Sequence, residues 1–295
     1  MAAHNSLGIG PLNYFGTEEQ KKKFLPGLCN GEGLWAFGLT EPEAGSDSRG
    51  TKTTAKLTGE GWNINGSKTF ITNASSAMAK GATVQVVTDK KGEEKEFSTI
   101  LVEKGTPGYT QKHMRDKLMW RASDTAELHF DNCKVPEGNL LGKRGEGSHI
   151  MLSTLDNGKL SIAAMGLGLA QGAFELALKY SQERQQFGKP ICKFQATAFK
   201  LADMAMKVEL ARNLLYKACR LKDNGKPFAK ESAMSKLYCS EIAGEVADEA
   251  VQIHGGYGLM KEFDVERFYR DARLLRIGEG TSEIQRMVIA RHIGC

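Results

Sequence analysis

The stretch Phe199–Asp223, FKLADMAMKVELARNLLYKACRLKD, decides the class of fold. Apolar residues recur in it every four positions, as on one face of a long α-helix, and Asn224-Gly225 ends the run. The residues of this series are Ala202, Met206, Leu210 and Leu214. The pattern stays helical from Gly147 to the C-terminus, with helices predicted over residues 147–182, 194–223, 228–254, 262–275 and 282–292. Helices of this length favour an antiparallel bundle.

Before Gly147 the sequence has the pattern of strands and turns. Candidate strands lie at residues 53–57, 62–64, 82–88, 97–102 and 125–130. Asn65-Gly66 predicts a hairpin turn, and Asp131-Asn132 predicts the end of the last strand. Strands follow one another without intervening helices, so the sequence predicts an antiparallel β domain and not a Rossmann unit.

The first residues predict a separate helical piece. Residues 13–30 have helical spacing, Thr17 and Gln20 form a capping box, and Asn30-Gly31 ends the helix. The predicted fold class is therefore α+β, with an antiparallel β domain followed by an all-α bundle. The predicted domains are a helical remnant at 1–33, a β-barrel-like domain at 34–136 and a helical bundle at 137–295.

Composition excludes several classes of function. The chain has 295 residues, 41% of them hydrophobic and 25% charged, with a net charge of +5, as in an ordinary globular protein. We expect no membrane partner, because no apolar run approaches transmembrane length. The mild positive charge suits an anionic small molecule, and no run of basic residues interleaved with aromatics points to nucleic acid.

No standard catalytic or metal motif is present. The six cysteines include no C-x-x-C pair, and the six histidines are dispersed, so we expect no metal site. A phosphate-binding P-loop, a Rossmann fingerprint and a G-x-S-x-G nucleophile elbow are also missing from the sequence.

The segment IGEGTSEIQR, residues 277–286, holds one carboxylate, Glu279, between two glycines. Ser282 and Gln285 have the spacing of a capping box, which predicts that a helix begins at or just after Ser282. Considered alone, Glu279 is interpreted as a solvated loop acid.

Four other segments combine glycine with polar or aromatic residues. They are FGLTEPEAGSD at 37–47, KTFITN at 68–73, RQQFGKP at 184–190 and QIHGGYG at 252–258. Glycine at such places lets a backbone approach a ligand closely and direct its N–H groups at it. Each segment considered singly is interpreted as a turn or a cap.

Together these segments resemble one known family. GLTEPEAGSD, NGSKTFITNA, RQQFGKPI, QIHGGYG, VERFYRDAR and IGEGTSEIQR stand in the order and spacing of the acyl-CoA dehydrogenases, which are flavoproteins. The resemblance covers the whole chain and is greatest to the short-chain, butyryl-CoA branch, as STLDNGKLSIAAMGLGLAQ at 153–171 also indicates.

The resemblance implies FAD bound between the β domain and the helical bundle. Segment 37–46 would face the isoalloxazine ring and segment 70–72 would pack on its other side. The pyrophosphate and adenosine would be held by Arg184, Gln195 and residues 252–256, some of them reaching a neighbouring subunit. The implied cofactor-binding residues are Phe37, Leu39, Thr40, Ser46, Phe70, Ile71, Thr72, Arg184, Phe187, Gln195, Gln252, Ile253, His254, Gly255, Gly256, Thr281 and Glu283.

The resemblance also implies a reaction, the α,β-desaturation of acyl-CoA thioesters of short to medium chain length. Glu279 would remove the α-proton while the β-hydrogen leaves as hydride to flavin N5. The Glu279 backbone N–H and a ribityl hydroxyl would stabilise the enolate. The adjacent helix N-terminus would lower the pKa of Glu279, and burial beneath substrate would raise it, with burial expected to dominate.

Substrate recognition is implied at Ser46, Asp156, Lys159 and Gly280. Two positions depart from the family pattern. Lys159 stands where arginine is common, which keeps the charge but loses the planar guanidinium. Gly278 stands where the short- and medium-chain branches carry an aromatic residue, which puts the preferred acyl length in doubt.

The resemblance further implies an electron-transfer flavoprotein as electron acceptor, a role in fatty acid β-oxidation, and a homotetramer built as a dimer of dimers. We expect a cytoplasmic location in a bacterium, or the mitochondrial matrix if a targeting segment precedes this sequence. Most of the family's N-terminal helical domain is missing, so the sequence is either a fragment or a shortened protein with a more solvent-exposed flavin. Two alternatives remain open: an oxidase on the same fold, and a non-catalytic FAD-binding or assembly subunit.

Overall fold

A computed structural model describes residues 1–92 and 94–295 of the chain. It divides into two compact units. The first unit comprises Met1–Lys117 and Arg121–Gly158, and the second comprises Leu118–Trp120 and Lys159–Cys295.

The first unit begins with three short helical pieces. A π-helical turn spans His4–Ile9, α1 spans Gly10–Phe15 and α2 spans Glu18–Cys29. The predicted capping box is confirmed, since Thr17 accepts from the Gln20 N–H and Gln20 accepts from the Thr17 N–H. A single helix from residue 13 is wrong, because Gly16 and Thr17 are extended and Thr17 must be extended to cap α2.

The rest of the first unit is an eight-stranded sheet with the order β6-β7-β3-β2-β4-β5-β8, to which β1 is added through β4. Most pairings are antiparallel, as predicted, whereas β1 and β2 both pair with β4 in parallel. The strands are β1 (Leu34–Gly38), β2 (Thr54–Thr58), β3 (Gly61–Thr72), β4 (Ala79–Lys91), β5 (Glu94–Glu103), β6 (Tyr109–His113), β7 (Thr125–Val135) and β8 (Leu140–Leu141).

Two sequence signals for turns mark a bulge instead. β3 continues through Asn65-Gly66 and β7 continues through Asp131-Asn132, so both predicted strand ends are wrong. The register of these paired strands shifts between Ile64 and Gly66. Asn132 adopts a left-handed conformation with φ +48°, and its N–H donates to the Asn65 side chain at 2.8 Å. The residues that favour a turn therefore accommodate an extra residue within a ladder.

A buried ion pair joins two segments of the first unit. The Lys68 amine, at the buried side of β3, lies 2.7 Å from a Glu41 carboxylate oxygen and 3.2 Å from the Leu39 carbonyl oxygen. Glu41 also accepts from the backbone N–H groups of Lys52 and Thr53. Burial lowers the pKa of Lys68 to about 8, although the Glu41 carboxylate favours its charged form. The ion pair therefore fixes the backbone of residues 39–41.

The second unit is a bundle of long helices. α3 (Gly147–Glu183) starts in the first unit and continues into the second, followed by a small hairpin of β9 (Gln185–Gln186) and β10 (Lys189–Pro190). The other helices are α4 (Gln195–Asp223), α5 (Ala229–His254), α6 (Val265–Leu275) and α7 (Ser282–Ile293). The five predicted helices are confirmed, with α6 beginning at Val265 instead of residue 262.

The buried face of α4 differs from the series that predicted the helix. Met206 and Leu210 of that series are 56% and 53% exposed. The core face alternates spacings of three and four, which follow the 3.6-residue turn over many turns, whereas strict spacing by four drifts around the helix. Its members are Leu201, Met204, Val208, Ala211, Leu215 and Ala218.

α3 is also more apolar than the sequence pattern indicated. One 18-residue window has a mean hydropathy of 1.4, so by length and composition alone the helix passes the test for a membrane span. The expectation that no run approaches that length is wrong for α3. The helix contributes Ala163, Ala170, Ala173 and Ala177 to the core of the second unit, and the core helix of a globular bundle has the same composition.

We expect Lys68→Met to lower the free energy of unfolding of the first unit by about 3–5 kcal/mol, because it leaves the Glu41 carboxylate buried without its cation. Urea titration followed by tryptophan fluorescence measures the change, since Trp35 and Trp62 are buried in this unit. The matched control is Lys52→Met. Lys52 pairs with Glu43 where both side chains are exposed, so its loss should leave the transition unchanged. Equal effects of the two substitutions would contradict this account.

Candidate active site

Glu279 lies in a short turn between α6 and α7. The residue has a left-handed backbone, with φ +56°, and Gly280 follows with φ +94°. α7 begins at Ser282, as predicted, but the predicted capping box is wrong. Thr281 is the cap, accepting from the Ile284 N–H at 3.3 Å. Ser282 and Gln285 do not pair with each other, because both side chains bind elsewhere in the unit.

The ends of the turn are tied to α5 through Glu241. The Ser282 hydroxyl donates to one Glu241 oxygen at 2.6 Å, and the Arg276 guanidinium lies 3.3 Å from the other. Arg276 also donates to the Glu241 carbonyl oxygen at 3.1 Å, and its own carbonyl accepts from the Ser282 N–H at 3.0 Å. One carboxylate thus fixes the residue before the turn and the residue after it.

The middle of the turn is held through the Gly280 carbonyl oxygen. The Lys236 amine, from α5, donates to it at 2.6 Å, and the Gln285 side-chain amide donates to it at 3.0 Å. Gln285 also reaches the Glu279 carbonyl oxygen at 3.3 Å. Lys236 and Gln285 are both fully buried. These bonds stabilise a conformation that residues other than glycine rarely adopt.

The Glu279 carboxyl is the most perturbed acid of the turn. The residue is partly buried, but its Oε2 atom is inaccessible to solvent and has no hydrogen-bond partner among the described residues. Burial raises the pKa of Glu279 to about 8, and the positive charges of Lys236 and Lys159 offset part of the rise. The interpretation as a solvated loop acid is therefore wrong. Burial has the larger effect on the pKa of Glu279, as expected. The effect that opposes it comes from the charges of Lys236 and Lys159.

Two of the predicted substrate-binding residues, Asp156 and Lys159, lie one turn apart on α3. Lys159 is buried and Asp156 is half-buried. Lys159 belongs to the second unit, where its charge acts on the Glu279 carboxyl. A buried lysine in the field of a buried acid contributes to the electrostatics of the site whether or not it also contacts substrate.

A second predicted group gathers around one cavity of the second unit, about 460 Å³ in volume. Arg184 lies on one side, with its guanidinium carbon 5.7 Å from the centre of the Tyr257 ring. Gly255 and Gly256 supply exposed backbone at the end of α5. The lining residues are Tyr180, Arg184, Gln186, Ile191, Ile253, His254, Gly255, Gly256, Tyr257 and Met260.

Not every predicted residue of the second unit lines this cavity. Gln195, Gln252 and Glu283 are exposed on α4, α5 and α7. His254 and Ile253 do line the cavity, but their side chains are largely buried. The His254 ring stacks on Tyr180, with ring centres 4.2 Å apart, and bonds to the Ala250 carbonyl oxygen at 2.8 Å.

In the first unit the two predicted flavin segments lie next to each other. The Thr69 N–H donates to the Thr40 carbonyl oxygen at 2.9 Å, which joins 37–46 to 68–73. Ser46 and Phe70 are exposed, whereas Phe37, Thr40 and Thr72 are half-buried. The side chains of Leu39 and Ile71 are buried, so these two positions can offer a ligand only their backbone groups.

Strained backbone coincides with three predicted residues. Phe70 has φ +59° and is 66% exposed, and Phe187 has φ +49° and is 93% exposed. Glu279 is the third. A large aromatic residue in the left-handed region is an outlier, and an exposed one gains nothing from burial. Such strain concentrates at functional sites, and here it directs two phenyl rings outward.

Sequence reasoning missed Lys236, Glu241 and Gln285 as members of the Glu279 site. Lys236 had a readable signal, because it stands on a helix face whose other members are small. Those neighbours are Ser232, Ala233, Ser235, Cys239, Ser240 and Ala243, all buried. A lysine in that position must find a buried polar partner, and no spacing rule identifies a carbonyl 44 residues away.

Comparison with known proteins identifies the family. Family models for the C-terminal, middle and N-terminal domains of acyl-CoA dehydrogenases match residues 145–294, 36–133 and 1–32. A probable acyl-CoA dehydrogenase of Bacillus subtilis is 52% identical over 99% of this chain and 77% of its own length. The chain belongs to the acyl-CoA dehydrogenase family.

Other relatives of this acyl-CoA dehydrogenase agree. The mitochondrial short-chain specific enzyme of Rattus norvegicus is 47% identical over 99% of this chain and 71% of its own length. Butyryl-CoA dehydrogenase of Megasphaera elsdenii has a TM-score of 0.95 at 46% identity, over 99% of this chain and 76% of its own. A chain in a structure described as the electron transferring flavoprotein of Acidaminococcus fermentans has a TM-score of 0.96 at 46% identity. The match covers 99% of this chain and 77% of that chain.

Acyl-CoA dehydrogenases are FAD-dependent oxidoreductases, and the residues present fit that cofactor. The exposed ring of Phe70, beside Thr40, offers a flat apolar surface. The cavity lined by Arg184, Gly255 and Gly256 suits a phosphate-bearing group, since a guanidinium binds phosphate oxygens and the glycines leave the approach to the backbone unobstructed.

Glu279→Gln should make the stability of this acyl-CoA dehydrogenase less sensitive to pH. The folded-state pKa of Glu279 is raised, so the stability contributed by its neutral form is complete below 4.5 and lost as pH rises through about 8. Relative to the glutamine variant, the wild type should lose on the order of 3 kcal/mol between about pH 5 and about pH 8. Urea titrations of both proteins at the two pH values check this. The prediction would be contradicted if the free energy of unfolding changed by the same amount in both proteins.

Gly280→Ala should destabilise the turn, whereas Gly278→Ala should not. A Cβ at Gly280 would lie 2.7 Å from the Gln285 amide nitrogen, on a backbone with φ +94°. A Cβ at Gly278 meets only Leu274, at 3.7 Å or more. We expect Gly280→Ala to lower the free energy of unfolding by about 1–3 kcal/mol, measured by urea titration. A loss of the same size in Gly278→Ala would show that the difference in backbone is unimportant.

Proposed function

We propose that the protein catalyses α,β-desaturation of a short- to medium-chain acyl-CoA thioester, with Glu279 as the base. The observation that supports this role is a carboxyl in a strained turn whose Oε2 atom is buried without a hydrogen-bond partner among the described residues, and whose pKa is raised to about 8. A general base is most effective when its pKa lies near the working pH, because it is then both available and strong enough to take a proton.

The residues in and around the turn have different roles in the proposed reaction. Glu279 removes the α-proton through a carboxyl oxygen, and its backbone N–H donates to the thioester oxygen as negative charge develops there. Lys236 and Lys159 favour the charged form of the base before the transfer. Bound FAD supplies the hydride acceptor for the β-hydrogen. The hydrogen bonds to Gly280 and Glu241 keep the carboxyl in place throughout.

We propose that two sets of residues hold FAD. In the first unit, the backbone of Leu39, Thr40 and Ile71 and the exposed Phe70 ring would face the isoalloxazine. In the second unit, Arg184 and the Gly255-Gly256 backbone would bind phosphate oxygens in their shared cavity. The remaining predicted contacts are Phe37, Ser46, Thr72, Phe187, Gln195, Gln252, Ile253, His254, Thr281 and Glu283.

Substrate binding is proposed at Ser46, Asp156, Lys159 and Gly280. Gly278 bears on the acyl length, because a side chain there would meet Leu274 only at ordinary contact distance. The absence of a side chain at Gly278 is the feature that we propose to affect which acyl lengths are accepted.

The proposed electron acceptor is an electron-transfer flavoprotein. Its support is the similarity to a chain in the Acidaminococcus fermentans structure. A homo-oligomer is supported by the outer side of α4, where Phe199, Met206 and Leu210 are exposed on one helix. Bacterial and mitochondrial relatives support a cytoplasmic or matrix location.

The decisive experiment is anaerobic titration of the FAD-loaded protein with acyl-CoA thioesters of increasing chain length while flavin absorbance is recorded. We expect bleaching by at least one chain length. Glu279→Gln should retain FAD and slow bleaching by about 10²–10⁴-fold, the usual contribution of a general base. The control is Glu262→Gln, an exposed glutamate of the same unit.

The other outcomes are equally informative. A yellow protein that no acyl-CoA bleaches would overturn the proposal and favour a non-catalytic FAD-binding subunit. Unchanged bleaching in Glu279→Gln would remove Glu279 from the role of base. Rapid oxygen consumption during turnover in air would identify an oxidase in place of a dehydrogenase.

A further inference from the structure

Lys236 is a buried cation at the centre of the Glu279 site. It lies on α5 and has no exposed surface, among neighbours that are nearly all small. Burial lowers the pKa of Lys236 to about 8, against the carboxylates of Glu279 and Glu241, which favour its charged form. A methionine or leucine would fill the same volume without the desolvation penalty, so packing alone does not explain a lysine here.

The amine bonds to the part of the turn where the backbone is most strained. Its 2.6 Å bond to the Gly280 carbonyl oxygen fixes the peptide that joins Gly280 to Thr281, one residue beyond Glu279. Gln285 donates to the same oxygen at 3.0 Å, so the carbonyl accepts one bond from a neutral donor and one from a charged donor. Lys236 therefore contributes both the shorter bond to the turn and a positive charge.

Charged groups face Lys236 and Glu279 from three helices. α5 contributes Glu241, whose charge acts on Lys236. Arg276 and Arg286 both pair with Glu241, and their positive charges weaken its effect on the lysine. The groups whose charges act on Lys236 are Glu279, Glu241, Lys159 and Glu283. Those that act on Glu279 are Lys236 and Lys159. Among these charged groups, Lys236 bonds directly to the middle of the turn, through the Gly280 carbonyl oxygen.

We propose that Lys236 is a positioning residue for the base: it fixes the strained turn through the Gly280 carbonyl and favours the ionised carboxylate of Glu279 by its buried charge. The inference rests on the proposed function, because it assigns Lys236 a role in preparing the base of that reaction. Two substitutions separate its two parts. Lys236→Gln keeps a donor for the carbonyl and removes the charge, whereas Lys236→Met removes both.

The experiment measures the pH dependence of kcat/KM for the FAD-loaded wild type and the two variants. In both variants the acid limb should move to higher pH by about one unit or more, because an opposite charge near the base is lost. In Lys236→Met, kcat at the high-pH plateau should fall a further tenfold or so, because the turn is released. Lys230→Met is the matched control, since it removes a lysine from the same helix that pairs with Glu231.

An infrared pH titration of the Glu279 carboxyl, assigned by its loss in Glu279→Gln backgrounds, gives a second readout that needs no turnover. If no acyl-CoA is converted by the wild type, the proposed function fails, while the infrared titration still decides whether Lys236 favours the carboxylate. The inference would be overturned if the folded Lys236→Gln variant showed the same acid limb of kcat/KM and the same Glu279 carboxyl titration as the wild type. An equal shift in Lys230→Met would also overturn it. If Lys236→Met fails to fold or to retain FAD, Lys236→Gln alone decides.

Discussion

Burial of the Glu279 carboxyl is the interaction on which the rest of the site depends. In the proposed reaction, an acid in water would have a pKa too low to remove a proton beside a thioester, so the proposed base must lose solvent. Desolvation raises its pKa to about 8, and two lysines keep the rise from going further. The turn can hold a partly desolvated acid only if its backbone is fixed, and the bonds from Lys236, Glu241 and Gln285 provide that constraint.

The same principle operates away from the turn. Phe70 and Phe187 carry exposed rings on left-handed backbone, a combination that a chain optimised for stability alone would avoid. In the first unit, the buried pair of Lys68 and Glu41 fixes residues 39–41, next to β3, which contains Phe70. In the second unit, the pair of Arg276 and Glu241 lies at the turn that holds Glu279. Each unit therefore has an ion pair close to a segment with left-handed backbone.

Local signals in the sequence were most reliable where a single element decided the outcome. The five helices of the second unit and the capping box of α2 could be read directly from spacing and cap residues. The same signals failed where a distant partner intervened. Asn65-Gly66 and Asp131-Asn132 lie opposite each other in a bulge, because the pairing of β3 with β7 overrides the preference of either dipeptide for a turn. Ser282 lost its predicted capping role to Thr281 because Glu241, from another helix, binds the hydroxyl.

The sequence by itself determined the order of elements, the family resemblance and the choice of Glu279, since spacing and motif order are properties of the chain alone. Tertiary structure decided which face of α4 is buried, because only packing selects between two apolar series on one helix. It also decided that one carboxyl oxygen of Glu279 is buried and that Lys236 acts on it. Desolvation and through-space charge depend on atoms from α3, α5 and α7 meeting at one place, and no local pattern encodes that meeting.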